Sequence, residues 1–294
     1  MENNRIFLLD TPRDAMQGLN HFIPTREKVK LLSLLLKAGF DVVDLGSLAS
    51  VKVIPQFSDF EEVLTKLPEG HADQGFVLTL SRSGIDRAVK YRDIRYVGFP
   101  FSPSAEFLKR NIRKTPEQAA ELVDYLIRKC SETGKTPLVY LSMAFDNPYN
   151  ETITPDDILR WAERFYHQGA RYISLSDILG QAEISAVAER CRIITEALPE
   201  IKLGLHLHVQ PGSAFDKLDA AYANGVRFFE GVTGGAGGCP MTGYEMVRNI
   251  STRTLIEWAA TRNLKHGIDE ATFKEAENVA IKIFSTSTFQ PEIN

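Results

Sequence analysis

A chain of 294 residues, 44% of them hydrophobic, is near the upper range for one globular domain and can bury a large core. Its formal net charge of −4, with acids and bases interspersed, gives no general reason to expect nucleic acid as a partner. The three cysteines, Cys130, Cys191 and Cys239, are far apart and show no CxxC spacing, which argues against a disulfide framework and for a reducing, cytoplasmic compartment.

The N-terminus enters an apolar run within a few residues and shows no secretory h-region, and no apolar run reaches the roughly 18 residues of a membrane span, so a soluble protein with no membrane partner is expected. From there the chain repeats one unit: a short apolar run, then an amphipathic stretch. Strands are predicted at 6–10, 41–45, 74–78, 94–98, 136–142, 172–174, 202–208 and 227–231. The helices that follow them are predicted at 27–38, 59–67, 84–90, 116–133, 155–168, 183–197, 214–224 and 244–261, with a further one at 270–284. Thr115-Pro116 and Thr154-Pro155 place a capping hydroxyl before a proline at the first helical position. Gly39, Gly169 and Gly225 stand just before the second, sixth and eighth strands, where a helix ends in a left-handed residue. Each gap between strands is long enough for a helical crossover and hence for parallel pairing. The expected architecture is one (β/α)8 barrel over 1–294, with an additional C-terminal helix and the segment from about 265 packed outside it. A doubly wound open sheet is the alternative, but no glycine-rich turn follows the first strand.

In a barrel of this kind the strand C-termini and the loops after them form the active face. The seventh strand is the most informative, because Leu203, Leu205 and Leu207 alternate with Gly204, His206 and His208. Alternation puts both imidazoles on one face. They fit either a pair of metal ligands or a pair of hydrogen-bonded core histidines. To the same rim come Arg13 and Asp14 after the first strand, Asp44 and Ser47 at the second, and Asp177 after the sixth. Past the eighth strand, Gly234-Gly235-Ala236-Gly237-Gly238-Cys239-Pro240 reads as a mobile lid carrying a thiol.

With these residues assembled, the chain resembles the 3-hydroxy-3-methylglutaryl-CoA lyase family of metal-dependent carbon–carbon lyases on (β/α)8 barrels. The resemblance rests on Pro12-Arg13-Asp14 with Gln17, on the stretch from Ser47 through Lys52 and Pro55-Gln56 to Asp59, and on Asn111-Ile112 and Asn147-Pro148-Tyr149. It continues through Ser174-Leu175-Ser176-Asp177, His206-Leu207-His208, Gly237-Gly238-Cys239-Pro240 and Asn249. It implies that Asp14, His206, His208 and Asn249 hold one divalent cation, magnesium or manganese, with zinc also compatible with the donors. It implies catalytic roles for Arg13, Asp177, His206 and Cys239: Arg13 for a developing enolate oxygen, Asp177 with His206 for the hydroxyl proton, and Cys239 for protonation of the acetyl-CoA carbanion. Gln17, Asp44 and Ser47 would bind substrate. The activity implied is cleavage of 3-hydroxy-3-methylglutaryl-CoA to acetyl-CoA and acetoacetate, a step of ketone-body and leucine catabolism. The partners implied are a small-molecule acyl-CoA and a second copy of the chain in a homodimer.

Three stretches depart from the family pattern. Val209-Gln210-Pro211-Gly212 replaces Asp-Thr-Tyr-Gly, Ala15-Met16-Gln17-Gly18-Leu19 replaces Gly-Leu-Gln-Asn-Glu, and Asn147-Pro148-Tyr149-Asn150-Glu151 replaces Cys-Pro-Tyr-Glu-Gly. Asp44 stands in place of the usual glutamate. Changes of this kind leave two alternatives beside the lyase: a related lyase or condensing synthase for another hydroxy acyl-CoA or hydroxy acid, and a non-catalytic metal-binding barrel.

Overall fold

The computed structural model describes residues 4–209, 212–235 and 248–285. Eight strands run parallel: β1 (Phe7–Asp10), β2 (Val42–Ser47), β3 (Gly75–Leu78), β4 (Tyr96–Phe101), β5 (Thr136–Ser142), β6 (Tyr172–Asp177), β7 (Lys202–Leu207) and β8 (Phe228–Gly231). Each pairs with the next, and β8 pairs back onto β1, so the sheet closes into the expected barrel. Around it lie α1 (Pro12–Gln17), α2 (Thr25–Ala38), α3 (Phe60–Lys66), α4 (Arg82–Ala88), α5 (Ala105–Ile112), α6 (Pro116–Thr133), α7 (Pro155–Gln168), α8 (Ile184–Ala197), α9 (Ala214–Ala223), α10 (Thr252–Thr261) and α11 (Glu270–Ser285).

Strand alternation divides the apolar residues into two cores. Leu9, Val42, Phe76, Leu138, Tyr140 and Tyr172 fill the inside of the barrel. Residues between them, such as Leu8, Val43, Ile173, Leu205 and Phe229, face outward and join Leu35, Val123, Phe165 and Trp258 of the surrounding helices. The polar site therefore sits on top of a packed plug rather than a pore.

The helix signals act as expected. Thr115 and Thr154 each form a reciprocal capping box, with Gln118 and Asp157 respectively. Gly39 ends α2 at φ +88°, and a Cβ there would stand 2.8 Å from the Gly267 carbonyl, so only glycine fits the turn. That close approach brings in α11, whose Phe273 meets Phe40 edge-on at 5.6 Å while Asp269 N–H donates to the Ala38 carbonyl at 2.8 Å.

Five elements differ from expectation in more than a residue or two at their ends. The helix predicted at 244–261 begins at Thr252, because the Ser251 hydroxyl caps it by accepting from Thr254 N–H, and 248–251 is extended; residues 244–247 lie outside the described part. α1 and α5 are short helices that the apolar periodicity did not reveal. β4 and β6 run past their predicted ends, since Pro100, Ser176 and Asp177 break the apolar pattern at the barrel mouth.

Candidate active site

On β7 the inward face carries Gly204 and then His206, with His208 just past the strand end. The segment 248–250 runs antiparallel beside that end: Val209 N–H donates to the Arg248 carbonyl and Ile250 N–H to the Leu207 carbonyl, each at 3.0 Å. This pairing carries Asn249 next to His208 across a wide gap in sequence. Asp14 comes from α1, and its Oδ2 accepts from Asn249 Nδ2 at 2.7 Å. The His206 and His208 rings are 5.5 Å apart, and one donor atom from each of Asp14, His206 and His208 lies within 4.8 Å of the others. All four side chains are buried.

The donor set fits a divalent cation. Burial would push the Asp14 carboxyl up, but Arg13, the two imidazoles and the Asn249 amide outweigh it and hold it below its usual range, so it is an anionic ligand. His206 Nδ1 lies 3.3 Å from Glu230 Oε2, which leaves Nε2 for a metal. Two imidazoles, a carboxylate and an amide suit a borderline-to-hard ion.

Arg13 stands beside this group with three acceptors. Nε donates to Asp44 Oδ2 at 2.8 Å, and Nη1 to Asp14 Oδ1 at 3.1 Å and Gln17 Oε1 at 3.0 Å. Gln17 Nε2 in turn donates to Asp14 Oδ1 at 2.9 Å. These contacts need the turn of α1, because residues three and four apart share a helix face. Burial disfavours the guanidinium charge, yet Asp44 and Asp14 raise its pKa, so it stays protonated. Among the described residues Nη2 has no hydrogen-bond partner.

Three predicted site residues occupy other places. Asp44 faces into the barrel but is fully covered: it holds Arg13 with Oδ2 and accepts from Gly46 N–H with Oδ1 at 3.1 Å. Burial pushes its carboxyl up to about 6 despite Arg13. Ser47 lies beyond a register shift between β2 and β3; its hydroxyl donates to the Leu78 carbonyl and accepts from Ala49 N–H, so it holds a loop. Asp177 falls on the outward face of β6, the parity of Ile173 and Leu175. Its carboxylate accepts from Gly180 N–H at 2.7 Å, Ala182 N–H at 3.0 Å and Lys217 Nζ at 3.4 Å. In this structure Asp177 thus ties the segment after β6 to Lys217 of α9. Cys239, with Gly237, Gly238 and Pro240, lies outside the described residues.

Sequence reasoning overlooked the inward residues of β5, β6 and β8. Tyr140, Ser142 and Ser176 line the cavity together with Arg13 and the histidines, as do the apolar Leu78, Leu80 and Phe107. Glu230 is buried beside His206, its register partner on β8. The signal was available: every second residue of each strand faces inward, so a polar residue at an inward position of a barrel strand marks the site.

A barrel whose mouth gathers a carboxylate, two imidazoles and a clamped guanidinium is built as an enzyme with a cation-binding centre. Comparison with known proteins narrows that class to the carbon–carbon lyases. The chain belongs to the HMGL-like family, whose profile matches residues 5–280. It is 27% identical over 265 residues to the mitochondrial hydroxymethylglutaryl-CoA lyase of Bos taurus, covering 90% of this chain and 81% of that one. The fold matches the HMG-CoA lyase of Brucella melitensis with a TM-score of 0.89 at 24% identity, over 96% of this chain and 99% of that one. It also matches an Acinetobacter baumannii HMG-CoA lyase, solved in complex with coenzyme A and 3-methylmalate, with a TM-score of 0.88 at 23% identity over 100% and 98% of the two chains. Among the described residues no helix is long and apolar enough to cross a membrane.

Proposed function

We propose that this enzyme cleaves 3-hydroxy-3-methylglutaryl-CoA, or a close 3-hydroxy acyl-CoA analogue, into acetyl-CoA and a keto acid. The observation that carries the reading is the donor triangle of Asp14, His206 and His208, with Arg13 bonded to Asp14 at its edge. Asp14, His206, His208 and Asn249 would hold a divalent cation, magnesium or manganese. Such an ion supplies Lewis-acid polarisation of the substrate's hydroxyl and carboxylate oxygens.

The remaining roles belong to the chain itself. Arg13, clamped through Nε and Nη1, lines the cavity, where its fixed positive charge would stabilise the enolate oxygen that develops as the carbon–carbon bond breaks. The substrate hydroxyl must give up its proton. Of the titratable side chains lining the cavity among the described residues, Arg13 and Tyr140 keep their own protons, since burial raises Tyr140 well above its usual value. The Asp14 carboxylate, held anionic by Arg13 and the imidazoles, keeps lone pairs to accept it. Gln17 binds at the same edge, Asp44 acts by holding Arg13, and Asp177 with Ser47 holds the loops of the mouth. Cys239 is assigned the protonation of the acetyl-CoA carbanion, and closure of its loop would exclude water from the enolate. The direct test is a coupled assay for acetyl-CoA release from 3-hydroxy-3-methylglutaryl-CoA with chelator, and again after magnesium or manganese is restored. Release that depends on the added ion supports the reading, and equal rates with and without chelator overturn it.

A further inference from the structure

We propose that Glu230 is the positioning residue for His206: it fixes which imidazole nitrogen carries the proton and so turns the other toward the cation site. This inference rests on the ligand role given to His206 above. His206 and Glu230 are register partners on adjacent strands, at one height and on the same inward face. Glu230 Oε2 stands 3.3 Å from His206 Nδ1, and Glu230 is 1% exposed. Both Glu230 oxygens already accept hydroxyl hydrogens, from Tyr140 and Ser174, so the nitrogen that faces Oε2 is placed as the donor: Nδ1 carries the hydrogen and Nε2 keeps its lone pair.

The carboxylate is itself held from across the barrel. Tyr140 Oη donates to Oε2 at 3.0 Å from β5, and Ser174 Oγ donates to Oε1 at 2.5 Å from β6. Gly204 makes room for the second of these, since a Cβ there would come 3.1 Å from Ser174 Oγ. The Tyr140 ring stands edge-on to His206 at 6.1 Å and 82° and limits its rotation. Hydroxyls from two strands thus hold the carboxylate, while the imidazole of a third faces it at 3.3 Å with its buried Nδ1 hydrogen-bonded to no other group among the described residues. A merely satisfied core polar group gives a different expectation: the two hydroxyls could bond to a neutral amide equally well, and only the imidazole has its tautomer set by an acceptor that cannot donate.

The test uses the full chain with His206 unchanged and Glu230 varied: Glu230→Leu, which removes the acceptor, and Glu230→Gln, which keeps the shape and folds under milder strain. Two readouts are taken. Calorimetric titration with Mn2+ should show affinity lower by about 10- to 100-fold in Glu230→Leu and by about 10-fold in Glu230→Gln. Two-bond proton–nitrogen correlation spectra of the metal-free protein, taken where the ring is neutral, should show His206 as the Nδ1–H tautomer in the wild type and lose it in Glu230→Leu. Affinity within twofold of wild type in both variants, or a wild-type His206 in the Nε2–H form, overturns the proposal; if Glu230→Leu does not fold, the Glu230→Gln affinity decides. A wild type that binds no Mn2+ refutes the ligand reading, while the tautomer spectra still decide the role of Glu230.

Discussion

Arg13 is fixed by three acceptors at once, Asp44, Asp14 and Gln17, and that fixity is what a lysine cannot reproduce. An ammonium carries the same charge, but it is a point donor without the planar fork that bridges Asp44 and Asp14. Arg13→Lys should therefore lower kcat on the order of 100-fold or more with the protein still folded; steady-state kinetics beside a circular dichroism spectrum check this, and a loss under fivefold would remove Arg13 from the chemistry. Asp177 calls for the opposite experiment. It is paired with Lys217, 4% exposed, whose Nζ also donates to the Gly180 carbonyl at 3.2 Å. Removing one partner of a buried pair strands the other, so Asp177→Asn should cost about 3 kcal/mol of stability, and adding Lys217→Met should restore much of it. Urea unfolding of the two single variants and the double one measures the coupling, and additive losses would show that the pair does not interact. The gathering of Asp14, His206, His208, Asn249 and Arg13 was legible in the sequence because each residue type is chemically unusual at a strand end. The outward direction of Asp177 was legible too, through the parity it shares with Ile173 and Leu175 on β6.

Between β8 and α10 the packing is as close as backbone allows, and this contact shapes the site from below. A Cβ on Gly231 would stand 2.7 Å from Thr252 Oγ1 and 2.9 Å from both Thr252 Cα and Leu255 Cδ1. Thr252 also donates to Asp10 Oδ2 at 2.5 Å, and Thr233 donates to the same oxygen at 2.6 Å, so the root of the loop after β8, the end of β1 and the start of α10 are tied to one carboxylate. Gly231→Ala should push α10 outward and cost about 1–3 kcal/mol, read as a lower urea midpoint with an unchanged slope; wild-type stability would mean that α10 shifts freely. The repeating strands and the long helices were readable because amphipathic period and capping residues agree, as at Thr115 and Thr154. α1 escaped because it is six residues long and every residue from Pro12 to Met16 is buried, which leaves no polar face to set a period. The start of α10 escaped for a related reason: apolar and polar residues around Asn249 suit a helix locally, and only pairing with the end of β7, a contact distant in sequence, makes that segment extended.

The whole molecule concentrates carboxylates and imidazoles in a barrel whose interior is otherwise apolar, and this gives its stability two opposed pH dependences. Closure of eight strands was legible from the count of repeats, whereas the ionisation of the mouth depends on burial, which the sequence does not state. Burial pushes the Asp10 carboxyl up to about 7, against the hydrogen bonds of Thr233 and Thr252, and the Asp44 carboxyl up to about 6. A carboxyl whose folded value lies above its unfolded value of 3.8 contributes stability that is full below 3.8 and is lost as pH rises through about 6 and about 7. His206 acts in the same direction: burial lowers its pKa, Glu230 and Asp14 more than reverse this, and the stability it adds below its unfolded value is lost as pH rises through its folded one. Asp14, held low, has the opposite sign, but its loss falls in acid, outside the window from pH 6 to 8. In chelator the protein should therefore become less stable from pH 6 to 8, by about 1.4 kcal/mol from Asp10 alone, and Asp10→Asn should flatten that slope. A cation at the site reverses the sign, because ligating imidazoles must be unprotonated, so its affinity and the stability it adds rise with pH. Melting temperatures measured at pH 6, 7 and 8 should fall across the series in chelator and fall less, or rise, with saturating Mn2+. Parallel curves in the two conditions would mean that Asp14, His206 and His208 do not share an ion.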